Sequence, residues 1–148
     1  MRRLFLCVLL LAFACAHRAA SEETVAGLKA RLEHAPPEQR PEICIHIAQL
    51  QLHEADRLYT DGKVEQARAA VDDIVTYSEK ARDAAIQSRK HMKNVEIGAR
   101  KMSEKLGDIK RTLAFEDQPP VEHAIRRLED IRTVLLKEMF SDKKEKKK

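Results

Sequence analysis

The sequence is poor in the residues that line deep pockets. It has no tryptophan, and its two tyrosines and four phenylalanines bring the aromatic content to only 4% of 148 residues. Glycine occurs four times and proline five times, whereas Asp, Glu, Lys and Arg supply 35% of the chain. This composition is typical of long, solvated helices with narrow apolar stripes. It argues against a thick globular core and against a deep apolar substrate pocket.

Cysteine is also scarce, and its placement argues against an internal disulfide. Cys7 and Cys15 lie in the first 15 residues, so only Cys44 belongs to the body of the chain. A disulfide scaffold would need at least one pair there. Cys44 stands in the apolar run Ile43-Cys44-Ile45, which favours a buried, inert side chain. A reactive or intermolecular thiol is the alternative.

A short basic and apolar segment stands at the start of the chain. Arg2 and Arg3 precede an uninterrupted apolar run, Leu4–Ala16. This order predicts a cleaved export signal over residues 1–20. The run is too short for a permanent transmembrane helix, which needs about 20 apolar residues. We therefore expect a protein that works outside the cytoplasm, in the periplasm or beyond the cell.

Two kinds of cleavage fit this segment. The triplets Ala12-Phe13-Ala14 and Ala14-Cys15-Ala16 each suit an ordinary cut that releases a soluble protein. The alternative is a lipoprotein-type cut that leaves lipid on Cys15, for which Ala14 is suitable and Phe13 is a poor fit. Acyl chains on Cys15 would tether the protein to a membrane. An uncleaved anchor is a third alternative.

The positive charge is concentrated at the two ends of the chain. Of the 28 Lys and Arg, three lie in residues 1–18 and five lie in residues 142–148, beside two acidic residues. The body, residues 21–141, therefore holds 20 basic and 22 acidic residues. A nearly neutral body makes nucleic acid an unlikely partner. The Lys-rich end, 141–148, predicts a disordered, solubilising tail, with contact to an anionic membrane surface as the alternative.

Proline and glycine divide the first part of the chain into two helices. The first is predicted over residues 22–34, with Ser21 as its cap, and ends before Pro36 and Pro37. The second is predicted over 41–60, with Pro41 in its first turn. Gly62 suits the left-handed residue that ends such a helix.

A third helix is predicted to run without a break over about 64–114. Apolar and small residues recur there in steps of three and four, which makes seven heptads of one seam. No proline interrupts it, and its length would be about 75 Å. Gly98 and Gly107 each lower helix stability, and they are interpreted either as tolerated within the helix or as the site of a bend. The seam comprises Val64, Ala67, Val71, Ile74, Ser78, Ala81, Ala85, Ser88, Met92, Val95, Ala99, Met102, Leu106, Ile109 and Leu113.

The middle of the seam carries only small residues and predicts a docking face. Small side chains bury little area but allow a close approach by another helix. We expect the other helices to leave part of this seam uncovered, so that a partner helix or a second copy of the chain docks there. The predicted contact residues are Ser78, Ala81, Ala85, Ser88 and Met92.

A fourth helix is predicted after the turn at 115–120 and extends to about Phe140. Its apolar stripe would pack against the second half of the long helix, while the second helix packs against the first half. The predicted fold is thus an all-α, elongated bundle with antiparallel helices on both halves of one long central helix. A single helical domain, 21–140, would contain it.

Part of this region resembles one tetratricopeptide unit. Over about residues 48–81, Ala55, Gly62 and Ala67 occupy the small-residue and turn positions of such a helix-turn-helix repeat. No second repeat follows 34 residues later. The resemblance implies that the second and third helices pack as a hairpin, rather than a multi-repeat groove. The chain as a whole resembles small uncharacterised exported helical proteins of bacteria.

Catalytic and metal motifs are absent from the sequence. His46 and His53 share a helix face with Glu42 nearby, but no Glu-x-x-His, His-Glu-x-x-His or Gly-rich phosphate loop occurs. The sequence therefore predicts a non-enzymatic scaffold without cofactors, which binds a partner protein or itself. The alternatives are an envelope lipoprotein anchored at Cys15 and a small metal- or ligand-binding bundle.

Overall fold

The computed structural model describes residues 23–145, with side chains up to residue 141, and is all-helical over that range. The all-α prediction is thereby confirmed. A short 3₁₀ turn (Phe115–Asp117) precedes the last helix. The predicted export signal, with Cys15, lies outside the described residues. The five helices are α1 (Val25–His34), α2 (Arg40–Thr60), α3 (Val64–Ser88), α4 (Met92–Thr112) and α5 (Gln118–Glu145).

The first two helices begin and end close to their predicted limits. α1 begins three residues later than predicted, because the Thr24 hydroxyl accepts a hydrogen bond from the Gly27 N–H at 3.1 Å and caps the helix there. α2 has Pro41 in its first turn, where a missing N–H leaves no helical bond unmade. Gly62, at φ 72°, forms the left-handed residue of the turn into α3.

The predicted long helix is wrong, because the chain turns back between Ser88 and Met92. Arg89 and His91 both adopt left-handed backbone angles, with φ of 57° and 60°. A left-handed residue other than glycine costs roughly 1–2 kcal/mol. No glycine or proline marks this turn in the sequence. The burial of α4 and α5 against the first half of the molecule offsets its cost.

Four of the helices form a bundle of two antiparallel hairpins. α2 pairs with α3 and α4 pairs with α5, and these are the most extensive helix contacts. The hairpins are joined because α5 lies beside α3 and α4 lies beside α2. The order around the bundle is therefore α2, α3, α5, α4, so the turn at 89–91 crosses it diagonally.

α1 packs outside this bundle, mainly on α2. Lys29 extends from it to α3, where its ammonium lies 3.3 Å from an Asp73 carboxylate oxygen and 5.0 Å from the centre of the Tyr77 ring. Leu28 is the one buried residue of α1. α1 is therefore held by fewer apolar contacts than the other four helices.

The core is a single apolar cluster shared by all five helices. Its largest fully buried side chains are mainly aliphatic, and aromatic residues contribute little to it. Gly98 of α4 lets α2 approach closely, since a Cβ built on it would lie 2.7 Å from Cγ1 of Ile45. Gly98 is thus a packing residue and not a bend in the helix. The largest fully buried residues are Leu28, Ile43, Ile47, Val71, Ile74, Val95, Met102, Leu106, Val121, Leu128, Ile131 and Leu135.

α5 is longer than the sequence predicts. It begins at Gln118, with Pro119 and Pro120 in its first turn, and continues to Glu145. Residues 141–145, predicted as the start of a disordered tail, are therefore helical; residues 146–148 lie outside the described part of the chain. None of the helices in residues 23–145 is long and apolar enough to cross a membrane.

Candidate interaction surface

The small-residue stretch of the seam lies inside the molecule. Ser78, Ala81 and Ala85 are buried, whereas Ser88 and Met92 are half-buried. The expectation that the other helices leave this stretch uncovered does not hold for the first three residues. The reason is the turn at 89–91, which folds the second half of the seam back into the same core.

Ser78 has an unusual environment within this stretch. Its side chain is buried, and its hydroxyl has no hydrogen-bond partner among the described residues. A buried hydroxyl without a partner destabilises the folded state. By contrast, the Ser88 hydroxyl near the end of α3 donates to the Ala84 carbonyl oxygen at 2.7 Å. Ser78 is therefore a weak point of internal packing and not an exposed docking residue.

The end of α5 extends past the ends of both its neighbours. Asp117, directly before α5, pairs with Arg68, and Arg127 of α5 pairs with Glu79, so each lies beside a residue of α3 that is 49 or 48 positions earlier. The same offset places residue 136 beside the last residue of α3, Ser88. Residues 137–145 thus extend about 13 Å beyond α3.

The register against α4 gives the same limit. Nε of Arg132 lies 3.1 Å from a carboxylate oxygen of Glu96, and Nζ of Lys110 lies 3.1 Å from one of Glu122. Because the two helices are antiparallel, residue 136 comes beside Met92, the first residue of α4. The last turns of α5 therefore have neither α3 nor α4 alongside them.

An apolar patch occupies this extension. Leu136, Met139 and Phe140 are spaced i, i+3 and i+4, which places them on one helix face. Leu136 and Met139 are half-buried, and Phe140 exposes 60% of its surface. Val134, 38% exposed, falls on the opposite face. We call residues 136–141 the α5 end.

The chain around the α5 end is basic. Lys137 and Glu138 lie within it, and the following seven residues contain five lysines against two acidic residues. An apolar patch that is followed in the sequence by a Lys-rich segment suits a partner with an apolar stripe and acidic flanks. The sequence contains the spacing of this patch, but its extension beyond α3 and α4 depends on the helix register, which the sequence does not reveal.

The two histidines of the alternative metal-binding hypothesis line an open groove. His46 and His53 lie on α2 facing the start of α1, in a groove of about 860 Å³. Nδ1 of His46 is 3.5 Å from a carboxylate oxygen of Glu23. Glu42 lies elsewhere, with an oxygen 2.8 Å from Nδ1 of His91. Within residues 23–141, no three potential metal-ligand side chains come together.

Cys44 is buried beside a small cavity. The cavity has a volume of about 280 Å³ and lies between α1, α2 and α3, with Arg40, Lys80 and Asp83 among its lining residues. Burial raises the pKa of the Cys44 thiol to about 11, although the nearby charges of Lys80 and Arg40 act in the opposite direction. The thiol therefore stays protonated at neutral pH, which makes it a poor nucleophile.

Comparison with known proteins found no match among protein-family models, curated proteins or solved structures.

Proposed function

We propose that this chain is an exported, non-enzymatic interaction protein that binds a helix of a partner protein through the α5 end. The observation that carries the proposal is the register of α5, which extends beyond both α3 and α4 and has an apolar face on its extension. Helices recognise other helices through such i, i+3, i+4 patches. The absence of an enzyme motif in the sequence is consistent with this role.

The partner is a protein helix with an apolar stripe and acidic borders. Leu136, Met139 and Phe140 supply the apolar contact, and the lysines from Lys137 onward supply the complementary charge. Charge complementarity of this kind increases the rate of association and makes binding sensitive to salt.

The α2–α3 hairpin is a single tetratricopeptide-like unit in this proposal. Ala55 and Ala67, the small residues of the pattern, are both buried, and Gly62 forms the left-handed turn residue. One such unit cannot form the multi-repeat groove of that class. Its role is therefore to support the bundle, and peptide binding is assigned to the α5 end.

A synthetic helix tests the binding proposal. The probe is a fluorescent peptide with leucines at heptad spacing and glutamates elsewhere, followed by anisotropy. We expect the double variant Leu136→Ser, Met139→Ser to bind at least about tenfold more weakly, because each leucine-sized contact contributes more than 1 kcal/mol. The matched control, Val134→Ser, alters an apolar residue on the opposite face and should bind like the wild type.

Two outcomes would contradict the proposal. Equal affinity for a peptide with lysines in place of the glutamates would remove the electrostatic argument. Binding to phosphatidylglycerol vesicles and not to the acidic peptide would assign the α5 end to a membrane surface instead.

Export is tested separately at the N-terminus. Mass spectrometry of the protein from its native host should find residues 1 to about 20 removed. A cut directly before Cys15 with added acyl mass, and loss of membrane association in Cys15→Ala, would identify a lipoprotein. An intact N-terminus in the cytoplasmic fraction would contradict export altogether.

A further inference from the structure

The turn between α3 and α4 is a strained connection between the two hairpins. It has three residues, Arg89 to His91, of which two are in left-handed backbone conformations without being glycine. Short hinge loops under strain favour exchange of structural elements between identical chains. A straight helix through these residues would relieve both left-handed conformations.

The seam continues across the turn in the phase of a single helix. Ser88 and Met92 are four residues apart and join the two runs of buried residues, Ala67 to Ala85 and Val95 to Ile109, without a shift. In a bundle with a turn at 89–91, the apolar residues of α4 need not continue the spacing of those in α3, because the turn allows α4 to rotate about its own axis. A continuous helix does require it, since only then do both halves present their apolar faces on one side.

The contacts between the two hairpins can form equally between two molecules. α5 and the 3₁₀ turn before it are held on α3 by the pairs Glu79–Arg127 and Arg68–Asp117. α4 is held on α2 by the contact of Gly98 with Ile45 and by the Asp56–Lys105 pair, with 2.7 Å between Oδ2 and Nζ. None of these contacts involves the turn itself. If the turn straightens in two molecules, the same contacts can therefore form between the α2–α3 hairpin of one chain and the α4–α5 hairpin of the other.

We infer that the chain forms a dimer by exchanging its α4–α5 hairpin with a second copy. In that dimer, residues 64–112 form one helix about 74 Å long. The α2–α3 hairpin of each copy packs against the α4–α5 hairpin of the other. The inference does not depend on the α5 end, and it stands if that surface binds nothing.

Variants of the turn test this exchange. The protein is unfolded, refolded at low and high concentration, and its mass in solution is measured by light scattering. Wild type should give monomer at low concentration and dimer at high concentration. The double variant Arg89→Gly, His91→Gly should raise the dimer dissociation constant by a hundredfold or more, because glycine removes the cost of the left-handed turn from both monomers and disfavours the continuous helix of the dimer. Lys101→Gly, an exposed site within α4, should leave that constant unchanged.

Cross-linking identifies the dimer as exchanged or side by side. Cysteines replace Glu79 and Arg127 in a background with Cys7→Ala, Cys15→Ala and Cys44→Ala, and a short bismaleimide joins them. An exchanged dimer yields two chains linked to each other, whereas the monomer yields a link within one chain. Links only within chains of the dimer, or a monomer at every concentration after refolding, would overturn the inference.

Discussion

The two glycines of α4 have opposite surroundings, which makes them a matched pair. A Cβ on Gly98 would lie 2.7 Å from Cγ1 of Ile45, whereas a Cβ on Gly107 would have nothing within 4 Å. We expect Gly98→Ala to lower the free energy of unfolding by about 1–3 kcal/mol, since overpacking exceeds the gain in helix propensity. Gly107→Ala should raise it by about 0.5–1 kcal/mol. Urea denaturation measures both, and equal effects would contradict the close α2–α4 contact.

Cys44 makes stability depend on pH above neutrality. Its thiol has a pKa of about 11 in the folded protein, against an ordinary value of 9.0. As the pH rises from 9 to 11, the unfolded chain loses the thiol proton before the folded chain does, so the unfolded state gains stability. The free energy of unfolding should fall by about 2 kcal/mol relative to Cys44→Ala over this range. Parallel pH profiles of the two proteins would show that the thiol ionises normally in the fold.

A partly buried ion pair helps to fix the position of α5 along α4, and an exposed pair within α4 serves as its control. The Glu96 side chain is 12% exposed and pairs with Arg132, whereas Arg100 and Glu104 form an exposed pair within α4. Arg132→Met should destabilise by about 1–3 kcal/mol, because it leaves the Glu96 carboxylate buried without its partner. Arg100→Met should change stability by less than about 0.5 kcal/mol. Thermal unfolding of the two variants makes the comparison, and equal shifts would contradict the assigned register.

The extension of α5 contributes little to the fold. Residues after 136 have neither α3 nor α4 beside them, so deleting 137–148 should change the free energy of unfolding by less than about 1 kcal/mol. Deletion from residue 128 removes Leu128, Ile131 and Leu135, all buried, and should abolish cooperative unfolding. Circular dichroism during urea titration distinguishes the two. A large loss of stability in the shorter deletion would mean that the α5 end packs on the bundle.

Helix limits were predictable wherever local chemistry determines them. Pro41 and Gly62 correctly indicated the start and end of α2, and the apolar stripe of α5 indicated its buried face. The turn at Arg89 and His91 was not predictable, because neither residue is glycine or asparagine, which usually occupy left-handed turn positions, and the seam runs through it unchanged. Its stability depends on contacts between residues far apart in sequence, such as Gly98 with Ile45. The exposure of the α5 end was not predictable for the same reason. α5 extends beyond α3 and α4 because α3 ends and α4 begins at this turn.

Across the whole molecule, the helices differ in how many buried residues hold them in place. α1 has one buried residue, Leu28, whereas α2 has nine. Segments with few buried contacts open locally at a lower free energy than the rest. Hydrogen exchange should therefore be fastest in the amides of α1 and slowest in those of α2 and α3. Leu28→Ala should accelerate exchange in α1 alone, while Leu106→Ala should accelerate it in all helices; uniform protection in wild type would contradict this ranking.

The three-residue turn also determines the effective concentration of the α4–α5 hairpin around the α2–α3 hairpin of the same chain. Each α2–α3 hairpin encounters its own α4–α5 hairpin at a high effective concentration, because only three residues connect the two hairpins. Strain at Arg89 and His91 reduces this local advantage about fivefold for every kcal/mol stored there. A crowded compartment, or accumulation at a surface, could then bring neighbouring copies into competition with the chain's own hairpin. Local abundance would thereby decide between a compact monomer and a linked pair.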